Sequence, residues 1–168
     1  MSTNAWALAP PDRAGLIKAA FEAKKFAYSK YSNFRVGAAL LSADGSIIKG
    51  ANIENASYGE YQQEGGQRGG GTICAERTAL VKAVSEGTRS FTALAVVTDV
   101  ADPLSPCGMC RQVIREFCAL NMPIFLVPAD YDERLAKGEP DGVLETTIAE
   151  LLPHSFGPEH LELPRRKD

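Results

Sequence analysis

The sequence predicts an α/β fold, a three-layer α-β-α sandwich around a single mixed sheet of about five strands. Three observations predict this fold. A helix-like segment comes early in the chain, two strand-like segments flank a turn at Asp44 and Gly45, and two further apolar segments each follow a predicted helix. Hairpins form antiparallel strand pairs, whereas strand–helix–strand units form parallel ones. A chain with both kinds of connection folds into a mixed sheet with helices on both faces.

The first half of the chain contains a helix and a hairpin. Apolar residues at helical spacing follow Asp12, which is a suitable N-cap. The dipeptide of Asp44 and Gly45 favours the positive φ angles of a tight hairpin turn. We expect a helix over 12–30, strands over 34–41 and 47–53, and a loop over 54–73.

The second half alternates helices and strands. Gly87 is placed to end a helix that begins near Cys74. Pro106 opens the next helix, because proline is favoured in a first helical turn. Thr147 and Glu150 fit a capping box for a last helix. We expect helices over 74–86, 106–120 and 147–152, strands over 91–98 and 123–127, and a short strand at 143–144.

Composition limits the class of protein. The chain has 168 residues, of which 45% are hydrophobic and 23% are charged, and these are values of a globular domain. We treat 1–168 as a single domain with tails at 1–11 and 163–168. A net charge of −3 and a pI of about 5.5 argue against a nucleic-acid partner. We find no long apolar run, so we expect no membrane partner.

The cysteines indicate metal or redox chemistry in a reducing compartment. There are four of them, and Cys107 and Cys110 form a Cys-x-x-Cys pair. The N-terminal segment lacks a basic start followed by an apolar stretch, so it does not read as a secretory signal. Cysteines in such a chain are more often metal ligands or redox thiols than disulfides. We therefore expect a cytoplasmic protein.

Three of these cysteines stand at predicted helix starts. Cys74 opens one helix, and Cys107 and Cys110 lie one turn apart at the start of another. Helix N-termini favour negative charge and lower the pKa of a thiol. If the strands before the two helices lie side by side, the three thiolates can hold Zn²⁺ tetrahedrally with one position open. An open position is typical of a catalytic zinc site.

Two residues after the first cysteine have candidate roles beside the metal. Glu76 is near the zinc but poorly placed to bind it, so it can take a proton from zinc-bound water and pass it to the substrate. Arg77 can hydrogen-bond a thiolate and offset its charge. The alternative interpretation of Arg77 is an exposed helix residue. Cys118 lies outside the cluster and is interpreted as a buried or idle thiol, not as a fourth ligand.

The pattern of a ligand, x-Glu, and a later Pro-Cys-x-x-Cys is typical of zinc nucleobase deaminases. The segments TICAERTAL, SPCGMCRQVIREF, NIENASYG, YSNFRVGAALL and LLPHSFGPEHL occur in this chain. On these segments the chain resembles the small homotetrameric cytidine deaminases. The resemblance implies one Zn²⁺ per subunit, a homotetramer, and hydrolysis of free cytidine and deoxycytidine in pyrimidine salvage. Zinc-bound hydroxide would attack the base, with Glu76 as proton shuttle.

The resemblance also implies binding residues. Asn52 and Glu54 would bind the ribose 3′-hydroxyl, Phe34 would pack on the pyrimidine, and the Ala75 amide would contact its 2-oxo group. Ala56, Tyr58 and Phe156 would reach the site of a neighbouring subunit. The stretch 59–71 is longer than in the family and rich in glycine, so we expect a flexible surface insertion there.

Other functions remain open at this point. A dithiol oxidoreductase would use Cys107 and Cys110, but it would leave Cys74 and Glu76 without a role. A structural zinc module would need a second pair of ligands. A deaminase acting on a modified cytosine nucleoside would keep the same zinc site.

Overall fold

In the computed structural model, residues 8–56 and 71–165 are described, and they form a sheet with helices packed on it. The strands are β1 (Gly37–Ser42), β2 (Ile47–Ala51), β3 (Phe91–Val97), β4 (Ile124–Val127) and β5 (Leu144–Thr146). The helices are α1 (Pro10–Lys24), α2 (Ala75–Ser85), α3 (Gly108–Phe117), α4 (Tyr131–Ala136) and α5 (Ile148–Leu151), and a 3-10 turn follows at Pro158–Glu162.

The five strands form one mixed sheet in the order β2-β1-β3-β4-β5. β1 pairs antiparallel with both β2 and β3, β3 pairs parallel with β4, and β5 runs antiparallel to β4. The predicted fold class is confirmed. Because β1 lies between β2 and β3, the strands that precede α2 and α3 are not neighbours. Cys74 must therefore reach the other cysteines by another route.

Both faces of the sheet are buried, which makes three layers. One core cluster joins the sheet to α2, α3 and α5, and a second cluster joins it to α1 and α4. Successive residues of a strand point to opposite faces. In β1, Ala38 and Leu40 belong to the first cluster, whereas Ala39 and Leu41 belong to the second.

A glycine lets α2 lie directly against β2. A Cβ atom at Gly50 would lie 2.4 Å from the carbonyl oxygen of Ala75 and 2.4 Å from the amide nitrogen of Ala79. Both of these atoms belong to the α2 backbone, which cannot give way without moving the helix. The absence of a side chain at Gly50 therefore allows the start of α2 to pack directly on the sheet.

Chain pairing next to β2 brings two distant segments together. The backbones of Ile53 and Ile73 exchange two hydrogen bonds, of 2.9 and 3.0 Å. The Asn55 side chain donates to the carbonyl oxygen of Gly71 at 2.9 Å, and Gly71 has a φ of +84° that suits glycine. The predicted insertion at 59–71 lies outside the described residues except for Gly71. Its flanking segments are joined by these bonds.

Several predicted boundaries are wrong. The helix predicted over 12–30 begins at Pro10 and ends at Lys24, so Asp12 lies in its first turn and is not the N-cap. It ends early because the Tyr28 backbone pairs with the chain that follows β2, accepting from Glu54 at 2.8 Å. The predicted tail 1–11 overlaps α1 at its first residues, and residues 1–7 lie outside the described part of the chain.

The remaining element predictions gave mixed results. The Thr147 and Glu150 capping box is present, and Gly87 follows α2 with a φ of +93°. Pro106 precedes α3 instead of opening it, because Cys107 is the N-cap. The short helix α4 was not predicted. None of the helices in 8–56 and 71–165 has the length and apolar character needed to cross a membrane.

We expect Gly50→Ala to destabilise the protein by about 1–3 kcal/mol, since an added methyl group must displace the α2 backbone. Urea unfolding measures this loss. The control is Gly15→Ala, at an exposed position of α1 where a Cβ would meet no atom within 4 Å. There alanine should stabilise the helix by about 0.5–1 kcal/mol. Equal stability of Gly50→Ala and the wild type would contradict this account of the β2–α2 contact.

Candidate active site

Three thiols meet where α2 and α3 begin. Cys74 and Cys107 are the N-caps of these helices, and Cys110 lies one turn into α3. The Sγ atoms of Cys74 and Cys107 are 3.8 Å apart, those of Cys107 and Cys110 are 3.4 Å apart, and all three lie within 4.8 Å of one another. The sequence prediction that these cysteines converge is therefore met in the structure.

The route of the chain explains how Cys74 reaches the other two cysteines. The Ile53–Ile73 pairing holds the residue before Cys74 next to the end of β2, and Gly50 keeps α2 on the sheet. α3 starts after the loop 98–107 that follows β3, and it contacts α2 on the same face of the sheet. The N-termini of α2 and α3 thus come together although β2 and β3, the strands that precede them, are not adjacent. Their free N–H groups favour the negative charge of thiolates.

The spacing of the sulfur atoms fits a tetrahedral zinc ion. With zinc–sulfur bonds of about 2.3 Å, the sulfur atoms of a tetrahedral site lie about 3.8 Å apart. The observed separations of 3.8 and 3.4 Å are close to this value. Within the described residues the group consists of Cys74, Cys107 and Cys110 alone, without a fourth His, Cys, Asp or Glu. Such a set leaves one coordination position for a non-protein ligand.

The thiols influence one another's protonation. Hydrogen bonding from Cys110, supported by Arg77, lowers the pKa of Cys74 to about 5. The same contact with Cys74, together with burial, raises the pKa of Cys110 well above its usual range. Between these two thiols, negative charge is therefore favoured on Cys74.

Arg77 contacts the metal-binding group. Its Nη2 atom donates to the carbonyl oxygen of Thr72 at 2.7 Å and to the Cys74 sulfur at 3.5 Å. Its Nε atom is buried and has no hydrogen-bond partner among the described residues. These contacts agree with the interpretation that Arg77 offsets thiolate charge, and they disagree with a fully exposed helix residue.

Glu76 lies in the first turn of α2 and is buried, with 4% of its surface exposed. Burial raises the pKa of Glu76 to about 7, because a carboxylate loses its hydration there. Its side chain faces a cavity that Cys74 and Cys107 also line. A carboxyl group with this environment can exchange a proton with a molecule in the cavity.

The cavity has a volume of about 560 Å³, within the usual range for small-molecule sites. Its lining includes sulfur and carboxyl groups, the segment before β1 and the end of β3. Its lining is Ser32, Phe34, Val36, Asn52, Glu54, Thr72, Cys74, Glu76, Val96, Thr98, Leu104, Ser105 and Cys107.

The family model of the cytidine and deoxycytidylate deaminase zinc-binding region matches residues 11–126. The chain belongs to this family. A cytidine deaminase of Sporosarcina psychrophila is 49% identical over 146 residues, which are 87% of this chain and 92% of that protein. A cytidine deaminase of Halalkalibacterium halodurans is 49% identical over 150 residues, covering 89% and 98% of the two chains.

A solved structure of a deaminase-family protein has the same fold. The crystal structure of cytidine deaminase from Burkholderia pseudomallei is 40% identical and has a TM-score of 0.69, covering 85% of this chain and 98% of that one. The family is zinc-binding, as the three-thiol group suggests. A dithiol oxidoreductase and a structural zinc module do not account for this membership.

The side chains of Asn52 and Glu54 line the cavity and also form hydrogen bonds within the protein. The Asn52 amide accepts from the Val36 N–H at 2.8 Å and donates to the Phe34 carbonyl at 2.9 Å. Glu54 accepts from the Tyr31 N–H at 2.7 Å and from the N–H and hydroxyl of Ser32. Although burial opposes it, the Ser32 and Tyr31 hydrogen bonds lower the pKa of Glu54, so it is ionised.

The other predicted substrate residues lie in different places. Phe34 lines the cavity, and Ala75 is fully buried at the start of α2. Ala56 is exposed, and it is not among the residues that line the cavity. Phe156 is 58% exposed, outside this cavity, and stacks on His160 with ring centroids 5.4 Å apart. Tyr58 lies outside the described residues.

Arg111, for which the sequence predicted no role, shapes the loop before the metal-binding helix. Its guanidinium donates to the carbonyl of Pro106 at 2.7 Å, the hydroxyl of Ser105 at 2.7 Å and the carbonyl of Leu151 at 2.8 Å. These bonds hold the loop that carries Cys107. The available signal was an arginine one turn after the first cysteine of the Cys-x-x-Cys pair.

We expect the wild-type protein to carry about one zinc ion per chain, because three ligands with one open position define one site. Cys107→Ala should lose most of this zinc and part of its stability, since metal binding couples to folding. Elemental analysis and thermal unfolding measure the two effects. Cys118→Ala is the control, because Cys118 is a buried thiol outside the group. Full zinc occupancy in Cys107→Ala would disprove the ligand assignment.

Proposed function

We propose that this chain hydrolyses free cytidine and deoxycytidine to uridine and deoxyuridine, releasing ammonia, in pyrimidine salvage. One observation carries the proposal. Two of the three clustered thiols, Cys74 and Cys107, and the buried Glu76 line a single cavity of nucleoside size. The cytidine deaminases that are 49% identical to this chain support the choice of substrate.

The metal-binding residues have a defined task in this proposal. Cys74, Cys107 and Cys110 would hold one Zn²⁺ per subunit and leave its fourth position facing the cavity. When bound, zinc supplies Lewis acidity that turns water into a nucleophile at neutral pH. Arg77, 3.5 Å from the Cys74 sulfur, would keep the thiolates from cancelling that acidity.

Glu76 would move the protons of the reaction. It accepts a proton from the attacking water and delivers it to N3 of the pyrimidine while the water oxygen bonds to C4. It then passes the second water proton to the 4-amino nitrogen as the C4–N bond breaks and ammonia leaves. A single buried carboxyl group can serve each step, because all these atoms lie around C4.

The cavity walls would bind the nucleoside. Phe34 packs on the base and the Ala75 N–H contacts its 2-oxo group. The Asn52 amide retains one N–H beyond its bond to Phe34, and together with the Glu54 carboxylate it would bind the ribose 3′-hydroxyl.

The charges of the cavity favour a nucleoside over a nucleotide. The family includes deoxycytidylate deaminases, whose name indicates a phosphorylated substrate. Among the described residues that line this cavity there is no lysine or arginine, whereas Glu54 is ionised. A phosphate group would meet a carboxylate without a compensating cation. We therefore propose cytidine and deoxycytidine, and not their monophosphates, as substrates.

We expect the purified protein to remove the ultraviolet absorbance band of cytidine and to leave cytidine monophosphate largely unchanged. Glu76→Ala should keep its zinc and its fold but lose activity by about 10²–10⁴-fold, the usual contribution of a general acid–base group. Glu86→Ala, an exposed glutamate at the other end of α2, is the control and should retain full activity. Near-normal turnover by Glu76→Ala would rule out its proton-transfer role.

We also propose that the protein is a cytoplasmic homotetramer in which Ala56, Tyr58 and Phe156 serve a neighbouring subunit. All four cysteines are unpaired thiols, as expected in a reducing compartment. Phe156 projects from a segment fixed to α3, because Gln112 donates to its carbonyl oxygen at 2.8 Å. A large exposed aromatic ring on a fixed segment is suited to contact another chain.

Mixing two inactive or weakened variants tests the shared site. Sedimentation should show a tetramer, and Phe156→Ala should raise KM about tenfold through the lost aromatic contact. Tetramers reassembled from Phe156→Ala and Glu76→Ala chains should regain sites of normal KM, because each Glu76→Ala chain supplies Phe156 to a neighbour. A monomer, or mixtures that keep the raised KM, would contradict the proposal.

A further inference from the structure

Phe34 belongs to a short extended segment, 34–36, that precedes β1. Side chains from elsewhere hold its backbone. The Phe34 N–H donates to the Ser32 hydroxyl at 3.1 Å, and the Phe34 carbonyl accepts from Asn52 at 2.9 Å. The Val36 N–H donates to Asn52 at 2.8 Å. The position of the Phe34 ring therefore depends on the side chains that bind this segment.

Asp99 supplies the remaining and strongest of these contacts. Its carboxylate accepts from the backbone N–H of Arg35 at 2.8 Å, from Arg35 Nε at 3.1 Å and from Arg35 Nη2 at 2.9 Å. The two guanidinium bonds form a bidentate pair, which fixes orientation as well as distance. One carboxylate thus holds both the backbone and the side chain of the residue that follows Phe34.

Asp99 also lies next to a residue of the cavity lining. It comes two residues after the end of β3, and the intervening Thr98 lines the cavity. Lys24 of α1 lies 3.3 Å from the Asp99 carboxylate and donates to the Thr98 carbonyl at 2.8 Å. Asp99 therefore ties segment 34–36 to the chain that follows β3, although it does not line the cavity itself.

We propose that Asp99 is a positioning residue, which acts through Arg35 to fix segment 34–36, and with it the Phe34 ring, in the cavity. This inference deepens the proposed function, because it rests on a pyrimidine nucleoside occupying the cavity. A ring that contacts the bound base equally in the ground state and the transition state contributes to binding and not to the chemical step. A displaced ring therefore weakens binding and raises KM, while kcat stays nearly constant.

Two substitutions at Asp99 test the inference. Asp99→Asn keeps one acceptor oxygen for the Arg35 N–H, whereas Asp99→Ala keeps none. We expect KM for cytidine to rise about threefold and about tenfold respectively, with kcat within about twofold and zinc content unchanged. The control is Asp130→Asn, because Asp130 also pairs with an arginine, Arg134 at 2.8 Å, but away from the cavity lining. Unchanged KM in both Asp99 variants would overturn the inference.

A double-mutant cycle distinguishes positioning of Phe34 from general loosening. If Asp99 acts through the ring, Asp99→Asn should have little further effect on KM once Phe34→Leu has removed the ring. Independent, multiplying effects of the two changes would overturn the inference. If Asp99→Ala does not fold, Asp99→Asn still completes this cycle.

Hydrogen exchange separates this inference from the proposed function. The Arg35 amide should exchange at least about tenfold faster in Asp99→Asn than in the wild type, because its acceptor is weakened. A wild-type protein that leaves cytidine unchanged would overturn the proposed function. The positioning of segment 34–36 by Asp99 would then be decided by amide exchange alone, and unchanged exchange would reject it.

Discussion

The convergence of two helix N-termini is the constraint on which the rest of the structure depends. Three sulfur atoms lie within 4.8 Å although they come from helices whose parent strands are separated by β1. Close packing at Gly50 and the Ile53–Ile73 pairing place the start of α2 where it can meet the start of α3. The cavity, the buried Glu76 and the contact of Arg77 all follow from this placement.

The same convergence concentrates acidic groups in one buried place. Cys74 has a lowered thiol pKa, and Glu76 lies two residues away with little access to water. Repulsion between such groups costs free energy unless a cation is present, and Arg77 supplies only one positive charge. A divalent metal would remove most of the remaining cost. Folding and metal binding are therefore expected to depend on each other in this protein.

The sequence predicted the metal-binding residues better than it predicted the contacts between distant segments of the chain. Helix-start cysteines at Cys-x-x-Cys spacing are a local pattern, so Cys74, Cys107 and Cys110 could be named before the fold was known. The end of α1 could not be predicted from the sequence, because pairing of the Tyr28 backbone with the chain after β2 is a long-range effect. For the same reason the link between Asp99 and Arg35, 64 residues apart in the chain, has no sequence signal.

The hydrogen bonds that flank residues 57–70 have a consequence for the length of chain that the fold can accept there. The Ile53–Ile73 pairing and the bond between Asn55 and Gly71 close the chain on itself before that stretch begins. Once two ends are held, each doubling of the connection costs only about 0.6 kcal/mol in closure entropy. A longer or shorter connection can therefore be accommodated between these ends without a change in the position of Cys74.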